Sequence, residues 1–433
     1  MRITPDAKRQ ESGAGAVFAY FTPITLLVYL AVPHGYLLEI ATAYMLKDQL
    51  HATASEVADF RFFTAIPVYL SFAFGLARDL WNPLGMKDRG FFLLFAPVTA
   101  AVFLWLATSK LSYGELFAGM LLAMFLFRFV AAAYQGLLAL VGQEKLMSGR
   151  LTALWQIVAT IPYVLGGFAS GWVAEHLTPQ RTFAVIVILL IGIAALAFWK
   201  PAAVFAHAYD RPEAKGRDFV GDVKRLLRHR AVYPAVLTLF LFQFAPGANT
   251  PLQYYLTNQL HASDAIYGDY NAIFAGSFVP MFFVYGWLCK RVALKSLLFW
   301  GTIITIPQMV PLAFIQSPLW AVILAAPIGM MGGIATGAYF DLVIRSCPPG
   351  LQGTLMMLAD GLLMFTGRGG DVLGTWIYMS DPRHGFLYCV IATTAVYALI
   401  LVVLAFVPKE LVATRDGERN PEMEAELAAE VAA

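Results

Sequence analysis

The sequence predicts an all-α membrane protein, with twelve transmembrane helices arranged as two pseudo-symmetric six-helix bundles. Three observations carry that prediction. Hydrophobic residues make up 59% of the 433 positions and charged residues only 13%, with a mean hydropathy of +0.66, which is too apolar for a soluble fold of this size. Apolar runs of the length needed to cross a bilayer, roughly 18 residues or more, recur throughout. The stretch from Tyr44 to Asp59 is repeated from Tyr254 to Asp269, with seven of sixteen positions identical, namely Tyr44/Tyr254, Leu46/Leu256, Gln49/Gln259, Leu50/Leu260, His51/His261, Ala52/Ala262 and Asp59/Asp269. An offset near half the chain length marks a duplicated unit.

Taken in order, the candidate spans are 16–46, 55–76, 91–109, 113–141, 151–175, 183–199, 233–256, 265–288, 294–315, 318–342, 354–378 and 386–407. Each crosses roughly 30 Å of hydrocarbon at about 1.5 Å per residue. The run that begins at Ala16 is too long for a cleaved leader and belongs to the first repeat, so it is expected to be retained. Thr53-Ala54-Ser55-Glu56 fits a capping box opening the second span, and Ser263-Asp264 supplies capping residues at the matching point of the eighth. The repeat therefore ends one helix and begins the next in each half.

Of the 30 Lys and Arg residues, 23 fall in loops on one side and 4 on the other, while Arg61, Arg128 and Arg368 lie within spans. That asymmetry puts both termini in the cytoplasm and Tyr44 to Asp59 outside, in a multi-pass plasma (cell inner) membrane protein. The expected divisions are an N-terminal six-helix bundle over 1–200, a cytoplasmic linker over 201–232, a C-terminal bundle over 233–408 and a tail over 409–433. In the linker, Phe219, Val220, Val223, Leu226 and Leu227 form a stripe beside Lys224, Arg225 and Arg228, the pattern of a helix lying on the inner leaflet. The Glu- and Ala-rich tail reads as solvated chain.

Several functions are excluded by the same sequence. A net charge of +2, placed by topology, gives no surface for nucleic acid. Cys289, Cys347 and Cys389 have neither metal-ligand spacing nor a pairing pattern, so no metal or disulfide is expected. No phosphate-cradling loop is evident, which argues against an ATP-driven pump. No cofactor and no enzymatic activity are expected. The partners are a small-molecule substrate, protons and membrane lipids, and the chain is expected to be a monomer.

A second pair of matches relates Gly149-Arg-Leu-Thr-Ala-Leu154 to Gly353-Thr-Leu-Met-Met-Leu358, and Gly171-Trp172 to Thr375-Trp376. Six plus six spans around a cytoplasmic connector resemble the major facilitator superfamily, a resemblance that implies a substrate site between the halves near the midplane. The second span ends in Gly75-Leu-Ala-Arg78-Asp79, followed by Gly85, Lys87 and Arg89. This resembles the superfamily's cytoplasmic latch, and implies a gate formed by Gly75, Asp79, Lys87 and Arg89. The counterpart Gly286-Trp-Leu-Cys-Lys290-Arg291 has Lys290 where the carboxylate would stand, so the latch reads as one-sided.

Two stretches are similar to the folate–biopterin transporter branch. One runs from Tyr44-Met-Leu-Lys-Asp-Gln-Leu50 through Pro67 to Asp79, Pro83, Gly85, Lys87 and Arg89; the other is Cys347-Pro-Pro-Gly-Leu-Gln-Gly-Thr354. Pro83 is shifted by one, Asp88 interrupts the basic cluster and Gln352 replaces a glutamate of the family pattern. The resemblance implies proton-linked uptake of a folate or pterin; some relatives carry S-adenosylmethionine, and muropeptide permeases look similar. A muropeptide permease, a drug exporter or a non-transporting membrane scaffold are the alternatives.

Charges inside the spans point to the site. Arg128, about 22 Å into the fourth span at about 1.5 Å per residue, costs at least about 2.5 kcal/mol there unless it faces a wet cavity or a partner. Arg368 is comparable, with Asp371 three residues on to neutralise it. Together Arg128 and Arg368 are candidates to hold a substrate carboxylate. Glu39 and Asp360 lack a charged neighbour at helical spacing and, with Asp371, are the candidate proton carriers. Asp341 and Arg345 read as a local pair. Helix breakers recur at Pro33-His34-Gly35 and Pro246-Gly247-Ala248-Asn249, where freed backbone groups line a cavity or simply kink the helix. Gly166, Gly167, Gly171 and Gly329, Gly332, Gly333, Gly337 read as close helix contacts. Tyr36, Tyr134, Gln135, Tyr163, Trp155, Gln156, Gln243 and Tyr339 have the chemistry to stack on and hydrogen-bond a flat heterocycle.

Overall fold

A computed structural model describes residues 5–33, 35, 38–39, 42–43, 45–206, 219–381 and 383–418. Among the described residues, twelve helical segments fall in the twelve predicted spans, the first ending at Ala31, short of the predicted 46. They are α1 (Pro5–Ala31), α2 in three pieces (Ala54–Thr64, Ile66–Tyr69, Ser71–Leu80), α3 (Asp88–Thr108), α4 (Tyr113–Glu144), α5 (Ser148–His176) and α6 (Pro179–Leu196). The second set is α7 in two pieces (Val232–Gln243, Thr250–Tyr254), α8 (Asp264–Leu288), α9 (Leu294–Thr305), α10 (Pro318–Arg345), α11 (Gln352–Ser380) and α12 (Gly385–Leu404). Among the described residues, nine stretches are both long and apolar enough to cross a membrane. His34 and Tyr36 lie outside the described residues, as do the side chains of Gly167, Gly171 and Trp172.

Two compact units are formed. One consists of residues 1–144, 161–222 and 350–357, the other of 145–160, 223–349 and 358–433. The division differs from a simple cut at the linker: the first turns of α5 belong to the second unit and the first turns of α11 to the first. Within the second unit the small residues of α10 set the spacing of α8. A Cβ on Gly333 or Gly329 would collide with Met281 or Ser277, and one on Gly337 would come within 2.7 Å of the Tyr285 ring. Side chains this small let two helices approach without a polar partner.

The duplicated stretch has the same structure in both copies. Met45–Gln49 and Tyr255–Gln259 are each one turn of π-helix. The Leu50 and Ala52 amides donate to the Met45 and Leu46 carbonyls at 3.0 and 2.8 Å, and the Leu260 and Ala262 amides to the Tyr255 and Leu256 carbonyls at 3.2 and 2.9 Å. His51 and His261 then turn the chain at φ 49° and 56°, a left-handed conformation in which His is enriched among non-glycine residues. Thr53 and Glu56 close a full capping box, with the Thr53 N–H donating to Glu56 at 2.7 Å and the Glu56 N–H to Thr53 at 3.3 Å. Ser263 occupies the N-cap of α8 without a side-chain bond, and with Ile266 where Glu56 stands in the other copy, no N3 side chain can return to its N–H.

Candidate functional site

The α2–α3 turn builds a buried ionic cluster in the first unit. Asp79, in the last turn of α2, accepts from the Gly353 N–H at 3.1 Å and from the Thr354 N–H and Oγ1 at 2.7 Å each, so its carboxylate sits on the N-terminus of α11. Gly75, one turn earlier on α2, has no room for a side chain: a Cβ would collide with the Gly353 carbonyl and come within 2.9 Å of Met357 Cβ. Arg78 lies between two carboxylates, bidentate to Asp88 at 2.5 and 2.7 Å and bonded to Asp79 at 2.7 Å. Arg89 donates to the Ala197 carbonyl at the C-terminus of α6 at 2.7 Å, with its guanidinium 5.9 Å from the Phe205 ring. Lys87 serves through its backbone, its N–H donating to Asn82 Oδ1 at 2.5 Å, in a left-handed turn at φ 48°. Arg78 and Asp88 are the residues that reading the sequence overlooked. Asp88, which looked like an interruption of the basic cluster, is the second anchor of Arg78.

Higher in the same unit, Arg128 is buried at 3% exposure and donates through Nη1 to Ser71 Oγ at 3.3 Å, at the point where α2 restarts after its break. Tyr134 is buried on α4 with its hydroxyl 2.7 Å from Thr25 Oγ1 of α1 and its ring edge-on to Tyr29. Gln135 is buried and lies seven residues from Arg128, on the same face of α4. Tyr163, on α5, is exposed. Glu39 is exposed as well and lies 3.8 Å from Arg61, which is equally open, so it has a charged neighbour that helical spacing did not reveal. Such a pair contributes little, about 0–1 kcal/mol.

In the second unit the break in α7 is where the polar residues collect. Asp371 accepts from the Thr250 N–H at 2.8 Å and from Thr250 Oγ1 at 2.9 Å, capping the restarted helix. The Gly247 N–H donates to Thr393 Oγ1 at 3.0 Å, and α11 approaches so closely that a Cβ on Gly374 would collide with the Pro246 carbonyl. Backbone groups freed by the break are thereby satisfied within the protein. Arg368 is exposed, so the expected neutralisation by Asp371 gives way to the cap on Thr250. Gln243 ends the first piece of α7, with its amide facing Gly367, the residue beside Arg368. Asp360 and Gln156 are half-buried on α11 and α5. Trp155 packs edge-on against Phe340, and Tyr339 is buried with its hydroxyl 2.8 Å from Thr302 Oγ1. Asp341 and Arg345 form the expected pair, 3.0 Å apart. No group of three or more metal-ligating side chains occurs among the described residues.

Twelve helical segments in two repeats, with carboxylates set on helix N-termini and a buried arginine in α4, define a polytopic membrane protein. A model of the Major Facilitator Superfamily matches residues 14–369, and the chain belongs to that family. It is a membrane transporter and not an enzyme. The chain is 22% identical over 386 residues to a folate-biopterin transporter of Synechocystis sp., covering 83% of this chain and 76% of that protein. Among solved structures, the transporter FucP in its outward conformation superposes with a TM-score of 0.67 at 16% identity, covering 90% of this chain and 98% of the other. The human organic anion transporter MFSD10 (TETRAN) superposes with a TM-score of 0.60 at 14% identity, with the same coverage.

Proposed function

We propose that the protein takes up an anionic heterocyclic solute of the folate or pterin type, in symport with protons, by alternating access. It does so as a monomer in the plasma membrane, with both termini in the cytoplasm. The observation that carries this reading is Arg128, a cation at 3% exposure within α4, held to Ser71 of α2. A charge at that depth is retained where it serves a solute or ion path, and a guanidinium matches a carboxylate in a bidentate fork. The name of the Synechocystis relative supports the solute class. Within the first unit the candidates for contact with a planar ring are Tyr134, Gln135 and the exposed Tyr163, and within the second they are Gln156, Gln243, Tyr339 and the exposed Arg368.

Asp360, half-buried within α11 at a depth where a carboxyl is retained for a solute or ion path, is the proton carrier in this reading. Gly75, Asp79, Lys87 and Arg89, joined by Arg78 and Asp88, form the gate.

Purified protein titrated with folates, pterins, S-adenosylmethionine, muropeptides, sugars and cationic drugs tests the solute: a ligand at one hundred times its dissociation constant adds about 2.7 kcal/mol of stability. A response to folates or pterins that is lost in Arg128→Ala is the expected result. A response confined to another class overturns the solute, and unchanged binding in Arg128→Ala removes the arginine from the site. Uptake that stays pH-driven in Asp360→Asn removes the proton role of Asp360.

A further inference from the structure

In the second half the latch carboxylate is missing from its expected place, since Lys290 follows Gly286 by four residues where Asp79 follows Gly75. A carboxylate arrives there from a distant part of the chain. Asp416, in the segment after α12, accepts from the Gly149 N–H at 2.9 Å and pairs with Arg150 Nε, both in the first turn of α5. Gly149 is the repeat counterpart of Gly353, whose N–H donates to Asp79 at the start of α11. The same backbone position of the duplicated helix thus meets a carboxylate in each unit.

Residues 409–418, which include Asp416, are docked rather than solvated as expected for the tail, while 419–433 lie outside the described residues. A short helix, Lys409–Val412, buries Leu411 and Val412. Arg345, fixed by Asp341, donates to the Thr414 carbonyl at 3.0 Å and to the Leu411 carbonyl at 3.3 Å. The Asp416 N–H donates to the Cys289 carbonyl at 2.9 Å. Cys289 lies against the other side of Gly149, where a Cβ would come within 2.9 Å of it.

We infer that Asp416 is the second gate carboxylate of this transporter, a positioning residue supplied by the C-terminal segment to the N-terminus of α5. This rests on membership of the transporter family and is independent of which solute is carried. A negative charge on a helix N-terminus stabilises that end against the partial positive charge of its free N–H groups. Residues 145–160 belong to the second unit together with Asp416, so the bond at Gly149 ties the first turns of α5 to the C-terminal segment within one unit. The α8–α9 turn carries Lys290 at the position that Asp79 holds in the α2–α3 turn, and Asp416 brings a carboxylate to the corresponding helix end.

The test uses the full chain in membrane vesicles of each orientation, with Cys347 and Cys389 replaced by Ala and a membrane-impermeant maleimide as probe. Two thiols are read. Cys289 is buried beneath the segment, and burial pushes its thiol above the ordinary range, so it labels slowly in the resting protein. A Tyr163→Cys thiol, farther along α5, reports which face of the membrane reaches the middle of the helix. Asp416→Asn is expected to speed Cys289 labelling about fivefold or more and to shift Tyr163→Cys labelling toward the face that bears the tail. Asp416→Glu keeps both readings near the parent. If Asp416→Asn does not yield folded protein, Arg150→Gln reads the same shift. Faster Cys289 labelling with an unchanged face preference at Tyr163→Cys means that the tail merely covers the thiol, and overturns the inference. No change at either thiol overturns it as well.

Discussion

Asp79 takes two of its hydrogen bonds from Thr354, one from the amide and one from the hydroxyl, each at 2.7 Å. A single carboxylate therefore caps α11 as an N-cap side chain would, although it comes from another helix, 275 positions away in sequence. Asp79→Asn keeps the shape and removes the charge, so it loses the interaction with the helix dipole, about 0.3–1 kcal/mol and up to about 2 kcal/mol in a buried setting. Thr354→Val removes the hydroxyl and leaves the amide bond. Thiol accessibility from each face should shift several-fold in Asp79→Asn and less in Thr354→Val. Equal shifts in the two variants would mean that the hydroxyl, rather than the charge on the helix end, holds the latch.

Arg78 is held by two carboxylates, with its side chain at 8% exposure and those of Asp79 and Asp88 at 0% and 6%. Removing the cation leaves two buried anions side by side, and breaking a buried pair in this way costs about 3–5 kcal/mol. Arg78→Ala should lower the unfolding midpoint in detergent strongly. Arg78→Lys, which keeps the charge but cannot bind one carboxylate bidentately while reaching the other, should fall between. A midpoint for Arg78→Ala within error of the parent would show the cluster to be solvated in the folded protein.

How far the sequence carried these results depends on whether the partners are close along the chain. The Thr53–Glu56 capping box and the Asp341–Arg345 pair follow from local spacing, and both are found. The length of the apolar runs locates the spans, because each bilayer crossing demands one whatever its neighbours are, although the first helix ends at Ala31 rather than near 46. Asp416 on Gly149 joins residues 267 apart, and a Glu- and Ala-rich tail offers no periodic signal that it docks. Glu39 and Asp371 were singled out for lacking close charged neighbours or for having one. Their partners are Arg61 and Thr250, which only the fold brings near. Lys290 in place of an aspartate reads from the sequence as a one-sided latch, and nothing near it in the chain shows that Asp416 serves the N-terminus of α5.

His51 and His261 each hold a positive φ after a π-turn in their copies of the repeat. Their side chains are exposed, so the backbone rather than the imidazole is what the turn requires. Glycine adopts this conformation without the Cβ contact that costs an L-residue about 1 kcal/mol, offset in part by the extra freedom of glycine in the unfolded chain. His51→Gly and His261→Gly should therefore leave the unfolding midpoint unchanged or slightly raised, and His51→Val should lower it because a β-branched residue is strained there. A loss of stability in both glycine variants would show that the rings themselves carry contacts.

Asp371 separates a structural role from a coupling role. Its two oxygens take the amide and the hydroxyl of Thr250, where α7 resumes after the Pro246-Gly247 break. Loss of an N-cap acceptor costs about 0.5–2 kcal/mol, so Asp371→Ala should destabilise the protein by that amount, and Thr250→Val by less, since it keeps the amide bond. Asp371→Asn retains one acceptor oxygen and should sit closest to the parent in stability. The same three variants can be read for pH-driven accumulation of the solute. If the carboxylate is a cap, transport per folded molecule follows stability, and Asp371→Asn transports nearly as well as the parent. If Asp371→Asn is stable yet no longer responds to the proton gradient, the carboxylate carries the proton as well as the helix end. The carrier role assigned to Asp360 then passes to this position.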